Sequence, residues 1–235
     1  MVSKFRGALA ALALVVSACS SGSSSTPQLD AGGTTYGAAS FSGPWIMEVS
    51  GAPNTQAMYL MPDGLGTVAD MGAFNLPNPI GNYTVQSKGD LHVFFAGHGT
   101  DPSMEFVGAL SSTSYATGTI AAWPTTLTKV ADPGACAGSW TGSLTQIRPS
   151  SATYPITLTV DASGTITAGT ISGKATSMAG RRFYCEGGKA VGFATSNASD
   201  GYAQVQLAGA LSGNTVSGTF AADGAPLDGT FTLTR

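Results

Sequence analysis

The chain has 235 residues, 32 of them glycine, and its 13 acidic and 10 basic side chains give a formal net charge of −3. The only adjacent cations are Arg181-Arg182, so there is no clustered basic patch to meet a phosphate backbone, and nucleic acid is not an expected partner. Abundant glycine, serine and threonine with 10 % charged residues argue against helices, and alternating runs such as Tyr154-Pro155-Ile156-Thr157-Leu158-Thr159-Val160 argue for strands; the predicted class is all-β.

The chain opens on Lys4 and Arg6, continues without charge from Gly7 to Val16, and reaches the small residues Ser17-Ala18 before Cys19. A basic start, a short apolar stretch and small residues at a cut site make a signal peptide, predicted over 1–18. The apolar stretch is about half of the roughly 20 residues that a spanning helix needs. The quartet Val16-Ser17-Ala18-Cys19 resembles the lipobox of bacterial lipoproteins. That resemblance implies export, cleavage before Cys19, a diacylglyceryl group on its thiol and further acylation, so the partner expected first is the membrane itself. Two or more acyl chains make such an anchor stable. Residues 19–40, with the run Ser20 to Ser25, are expected to form the lipidated flexible linker. In a Gram-negative organism Ser20 is compatible with outer-membrane sorting. Without Lys4 and Arg6 the mature part keeps eight basic residues against 13 acidic ones, a formal charge of −5.

With Cys19 lipidated, two of the three cysteines remain, Cys136 and Cys185. An exported chain meets oxidising conditions, so the two are expected to be joined.

The mature chain repeats itself. Ser42-Gly43-Pro44-Trp45 matches Ala137-Gly138-Ser139-Trp140 at an offset of 95, and Asp63 to Val68 matches Asp161 to Ile166 at 98. Gly81 and Gly89 match Gly180 and Gly188 at 99, and Gly108-Ala109-Leu110-Ser111 matches Gly209 to Ser212 at 101. Gly118 to Ala122 matches Gly218 to Ala222 at 100, and Thr126 to Lys129 matches Thr232 to Arg235 at 106. Six matches in unbroken order indicate a duplicated domain; a period near 100 is too long for a solenoid. The copies are predicted over 41–130 and 136–235, joined by a linker over 131–135. By these offsets Cys136 and Cys185 correspond to Phe41 and Gln86 in the first copy.

Each copy reads as about eight short strands, in the first near 44–50, 55–62, 65–70, 80–87, 90–96, 103–110, 113–121 and 125–130. Asp63-Gly64, Lys88-Gly89-Asp90, Ser163-Gly164 and Ser212-Gly213-Asn214 are hairpin signals. Strands joined in sequence should meander, and closing the sheet removes its two edges. Two tandem antiparallel meander barrels are predicted, with tandem β-sandwiches or one shared sheet system as alternatives.

Gly43-Pro44-Trp45 with Lys129, and Gly138-Ser139-Trp140 with Arg235, resemble the calycins, the barrel superfamily that includes lipocalins and avidins. Members begin their first strand with Gly-x-Trp and often end the last with a cation packed on that tryptophan. The resemblance implies calycin-like barrels in which Trp45 pairs with Lys129 and Trp140 with Arg235.

Signals of chemistry are sparse. His92 lies on a predicted strand and His98 in Gly97-His98-Gly99; Asp90 or Asp101 could join them, but the spacing fits no zinc pattern, and both are read as ordinary strand and turn residues. No nucleophile elbow or phosphate loop is present, and no cofactor is expected. Arg181-Arg182 could hold an anion, but neighbours on a regular strand point to opposite faces, so a solvated surface is expected. The sequons at Asn82 and Asn197 carry little weight in a bacterium. Met47, Met58, Met61, Met71 and Met104 enrich the first copy, which also holds an uncharged loop from Met71 to Ile80; they are read as core rather than a ligand lining. The expected function is a non-enzymatic, lipid-anchored envelope protein that binds or presents itself to another macromolecule. The alternative is a carrier of a small apolar molecule. Large inward side chains would favour the first and a central void the second.

Overall fold

The computed structural model describes residues 34–51, 56–72, 81–96, 103–147, 151–171, 176–196, 204–222 and 229–235. Eight strands form a first closed barrel: β1 (Trp45–Val49), β2 (Gln56–Pro62), β3 (Thr67–Met71), β4 (Gly81–Val85), β5 (Asp90–Phe95), β6 (Met104–Ser112), β7 (Tyr115–Ile120) and β8 (Trp123–Lys129). A short 3-10 turn, Pro133–Cys136, follows, its start held by the Asp132 carboxylate, which accepts from Gly134 N at 2.8 Å. Eight more strands close the second barrel: β9 (Gly138–Gln146), β10 (Ala152–Val160), β11 (Thr165–Ile171), β12 (Thr176–Glu186), β13 (Lys189–Ser196), β14 (Gln204–Ser212), β15 (Thr215–Ala222) and β16 (Gly229–Thr234). Every neighbouring pair is antiparallel, and the sequence expectation of two tandem meander barrels holds. Closure pairs β1 with β8, Trp45 opposite Lys129, and β9 with β16, Thr141 opposite Thr234.

The pleat explains which side chains meet. Alternate residues point inward and gather into one apolar cluster per barrel. In the first, Trp45, Met47, Leu60, Val93, Phe106 and Leu127 are buried among others; in the second, Trp140, Leu144, Leu158, Phe183, Phe220 and Leu233. The two cores keep volume by exchanging positions. Gly108 faces Gly118, and an added Cβ on either would come within 2.2 Å and 2.3 Å of a backbone oxygen across the ladder, and within 3 Å of Phe106 Cζ. Gly209 and Gly218 make the same close pair in the second barrel, where the ring beside Gly209 is Phe231. Register places Thr125 where Phe231 stands, and Leu207 where Phe106 stands. One barrel thus fills this space from its sixth strand and the other from its last, as close-packed interiors require.

The drifting repeat offsets are loop differences. Asp63 and Asp161 cap equivalent β-turns: Asp63 Oδ1 accepts from Leu65, Gly66 and Thr67 N, and Asp161 Oδ1 from Ser163 and Thr165 N. These donors hold both carboxylates below the usual range, with Thr67 N–H foremost for Asp63 and the Ser163 hydroxyl for Asp161. Tyr83 N then donates to Gly66 O as Phe183 N does to Gly164 O, which fixes an offset of 100 on β4 and β12. The partner of Cys185 is therefore Val85 rather than Gln86, a correction of the sequence alignment by one residue. The cause lies in the next turn: Val85 pairs with Leu91 across five residues, whereas Cys185 pairs with Ala190 across four.

Candidate functional site

The residues singled out at the barrel ends come together. Lys129 Nζ lies 5.8 Å from the Trp45 ring centroid and Arg235 Cζ 5.0 Å from that of Trp140. Each indole also donates backward, Trp45 Nε1 to Ser42 O at 3.3 Å and Trp140 Nε1 to Cys136 O at 2.8 Å. Arg235 further donates to Ala135 O and Ala137 O. A buried ring with its N–H satisfied and a cation over its face is a structural plug. Beside it the copies differ. In the second barrel Cys136 is bonded to Cys185 with Cα atoms 5.4 Å apart. In the first, Phe41 fills that position and packs on Trp45 at 4.9 Å and edge-on to Tyr83 at 5.1 Å. An aromatic plug stands where the other copy has a covalent one.

Of the titratable groups nominated for chemistry, His92 and Asp90 are among the described residues and do not join a cluster there. His92 Nδ1 meets Glu105 Oε1 at 3.0 Å on the outer face of the first barrel, and Asp90 stands two residues away on the same strand. Among the described residues no cluster of three or more His, Cys, Asp or Glu could hold a metal. His98, Asp101, Asn197, Cys19 and residues 73–80 lie outside the described residues. The His92–Glu105 pair forms one wall of an open hollow of about 290 Å³, completed by Asn82, Thr84, Gln86 and Phe94. Phe94 in the hollow is exposed, as is Val107, which stands opposite His92 on the same outer face. Met47, Met58 and Met71 are buried in the first core.

Arg181 and Arg182 depart from expectation. A β-bulge between Ala179 and Arg182 breaks the alternation. Arg181 lies over the Phe193 ring at 5.3 Å and bonds Asp70 of the first barrel at 3.1 Å. Arg182 donates to Ser163 and Thr165. Neither is a free solvated cation.

Arg181 belongs to a barrel-to-barrel interface that sequence reasoning missed. Ile46 and Tyr59 from the outer face of β1–β2, Val130 just after β8, and Tyr184, Val191 and Phe193 from the outer face of β12–β13 form one buried cluster. Tyr59 and Tyr184 pack edge to face at 5.6 Å, and Tyr184 OH points to Met61 Sδ at 3.3 Å. Lys189 pairs with Glu48, Gln206 Nε2 donates to Ala57 O at 3.3 Å, and Ala131 N donates to Glu186 Oε2 at 2.8 Å. The available signal was the loss of alternation: Ala57-Met58-Tyr59-Leu60-Met61 and Ala190-Val191-Gly192-Phe193-Ala194 are apolar on both faces, as strands covered on both sides are.

Burial raises both interface phenols, Tyr184 to about 12 and Tyr59 further, the latter also pushed by Asp70. Below the ordinary tyrosine value of about 10 both are neutral in the folded and unfolded chain, so their contribution is fully present. As pH rises past that value the unfolded chain ionises first and the contribution is lost. In a spectrophotometric titration Tyr59 and Tyr184 are expected to ionise only above the ordinary tyrosine value, as the interface opens. Loss of this delay in a chain whose barrels stay docked would contradict the burial of Tyr59 and Tyr184.

No family model, curated protein or solved structure matches the chain.

Proposed function

We propose that the chain is an exported bacterial envelope lipoprotein, tethered by lipid on Cys19, whose two barrels bind or present themselves to another macromolecule without catalysing a reaction. The observation that carries the reading is the filling of the barrels. The inward positions hold Trp45, Phe106, Trp140, Phe183 and Phe220, all at most 1 % exposed, where a carrier would need small residues around a void. The exposed Phe94 and Val107 on an outer wall support recognition outside rather than inside the barrels. The two Trp–cation plugs support the calycin resemblance, as a scaffold and not as a ligand cup. The lipobox, the Ser-rich stretch after Cys19 and the disulfide together fit an oxidising location outside the cytoplasm.

The anchor is tested by Cys19→Ala. The variant precursor is expected to incorporate no labelled palmitate and to leave the membrane fraction, while wild type takes up the label and stays with the membrane. Continued labelling of the variant would remove Cys19 as the lipid site.

A further inference from the structure

The hollow on the first barrel and the interface surface of the second are the same surface in two copies. Strand register fixes the correspondence. Phe94 pairs with Asn82 and Glu105, as Phe193 pairs with Arg182 and Gln206. His92 pairs with Thr84, as Val191 pairs with Tyr184. Gln86 and Glu186 each follow the equivalent residues Val85 and Cys185. All six residues lining the hollow therefore have counterparts on the β12–β14 face, and Tyr184, Glu186, Val191, Phe193 and Gln206 are among the residues by which that barrel grips the first or its linker. Phe193 is 0 % exposed under that contact, and Phe94 is 42 % exposed.

The contact is head-to-tail: the β12–β14 face of one copy covers the β1–β3 face of the other. Such a contact leaves one gripping face open, β4–β6, and one gripped face open, β9–β11. The open faces do not suit each other. Where β1–β2 present Ile46, Glu48, Tyr59 and Met61, register places Thr141, Ser143, Thr157 and Thr159 on β9–β10. These carry neither the aromatic and aliphatic bulk nor a charge, so a second copy finds no matching face and growth stops.

Charge indicates what does fit. The buried contact sets Lys189 and Arg181 against Glu48 and Asp70. On the open face the counterpart of Lys189 is Asp90 and that of Gln206 is Glu105; strands β4 to β6 contain no Lys or Arg, and Lys88 sits in the turn between β4 and β5. The sign is inverted while the central aromatic is kept. A like-charged face, including the same face of another copy, is repelled, whereas an apolar centre flanked by cations is attracted.

We propose that the outer face of β4–β6 is a docking site for a partner protein whose contact surface is apolar at its centre and rimmed by lysine or arginine. The site rests on the reading of the chain as a macromolecule-binding lipoprotein and names where that binding occurs. Phe94 is its anchor, in the place that Phe193 holds in the internal contact.

A photo-crosslinking side chain, p-benzoylphenylalanine, placed at Phe94 of the full chain in its native host tests this, with the same group at exposed Thr157 as control. The expected result is one protein adduct at position 94 whose crosslinked segment carries Lys or Arg. Glu105→Lys should lower its yield roughly tenfold, and a Lys→Glu change at the partner's crosslinked segment should restore it. Circular dichroism of Glu105→Lys, a surface change, confirms folding. An adduct only with a second copy, with lipid or with glycan overturns the proposal, as does a yield indifferent to Glu105→Lys. Protein adducts at 157 but not 94 would overturn this face and leave the macromolecule-binding reading standing. Adducts at neither position would overturn both.

Discussion

Phe193→Ala is expected to destabilise the chain by about 3–5 kcal/mol, and Phe94→Ala by less than about 0.5 kcal/mol, although the two residues occupy equivalent positions. Phe193 is fully buried between Ile46, Tyr59 and Val191 and lies under the Arg181 guanidinium. Truncating it leaves a cavity that neither rigid barrel can close, and it removes the stacking that holds Arg181 toward Asp70. Phe94 already faces solvent, so its ring gives up little. Urea midpoints of the two variants measure the contrast. Equal effects would mean that the barrels are not held by this cluster. Limited proteolysis provides a second reading: with the contact loosened, the segment around Ala131, whose N–H is bonded to Glu186, should become the preferred cut.

Removing the disulfide through paired Cys136→Ala and Cys185→Ala is expected to cost about 4 kcal/mol, since the bond closes a sequence separation of 49 residues. The loss should fall on the second barrel, because Phe41 does the equivalent closing in the first without a bond. For a unit of roughly 200 residues that corresponds to a fall in Tm on the order of 10 °C, and dithiothreitol should produce the same fall in wild type. Alkylation of the unfolded, unreduced chain should find neither Cys136 nor Cys185 free. A Tm indifferent to reductant would contradict the assignment of stability to this bond.

Much of the architecture was legible because local rules suffice for it. Gly64, Gly89, Gly164 and Gly213 adopt positive φ at the turns their sequence marks, and alternation with these turns marked out the strands. The calycin resemblance implied which pairs of end residues should meet. What escaped depends on relations that alternation does not encode. The bulge before Arg182 let two neighbouring guanidiniums reach the outside, reversing the expectation for a regular strand. The turn after Cys185 is one residue shorter than its counterpart, which displaced the alignment onto Gln86. The interface was present in the sequence as outward Ile46, Tyr59, Val191 and Phe193, but a residue's face within one barrel says nothing about what covers it. The open hollow was hidden for the same reason: His92 and Glu105 gain meaning only beside Val191 and Gln206, which are buried where they are not.

Native mass spectrometry of the mature lipidated protein, extracted in mild detergent and released without denaturation, tests most directly whether these barrels are filled scaffolds. The expected spectrum shows the chain cut before Cys19 plus its covalent acyl groups and nothing else, and it stays unchanged when a fatty acid is added in excess. A bound small apolar molecule that survives transfer, in one-to-one ratio with the chain, would contradict the account and return the function to a carrier.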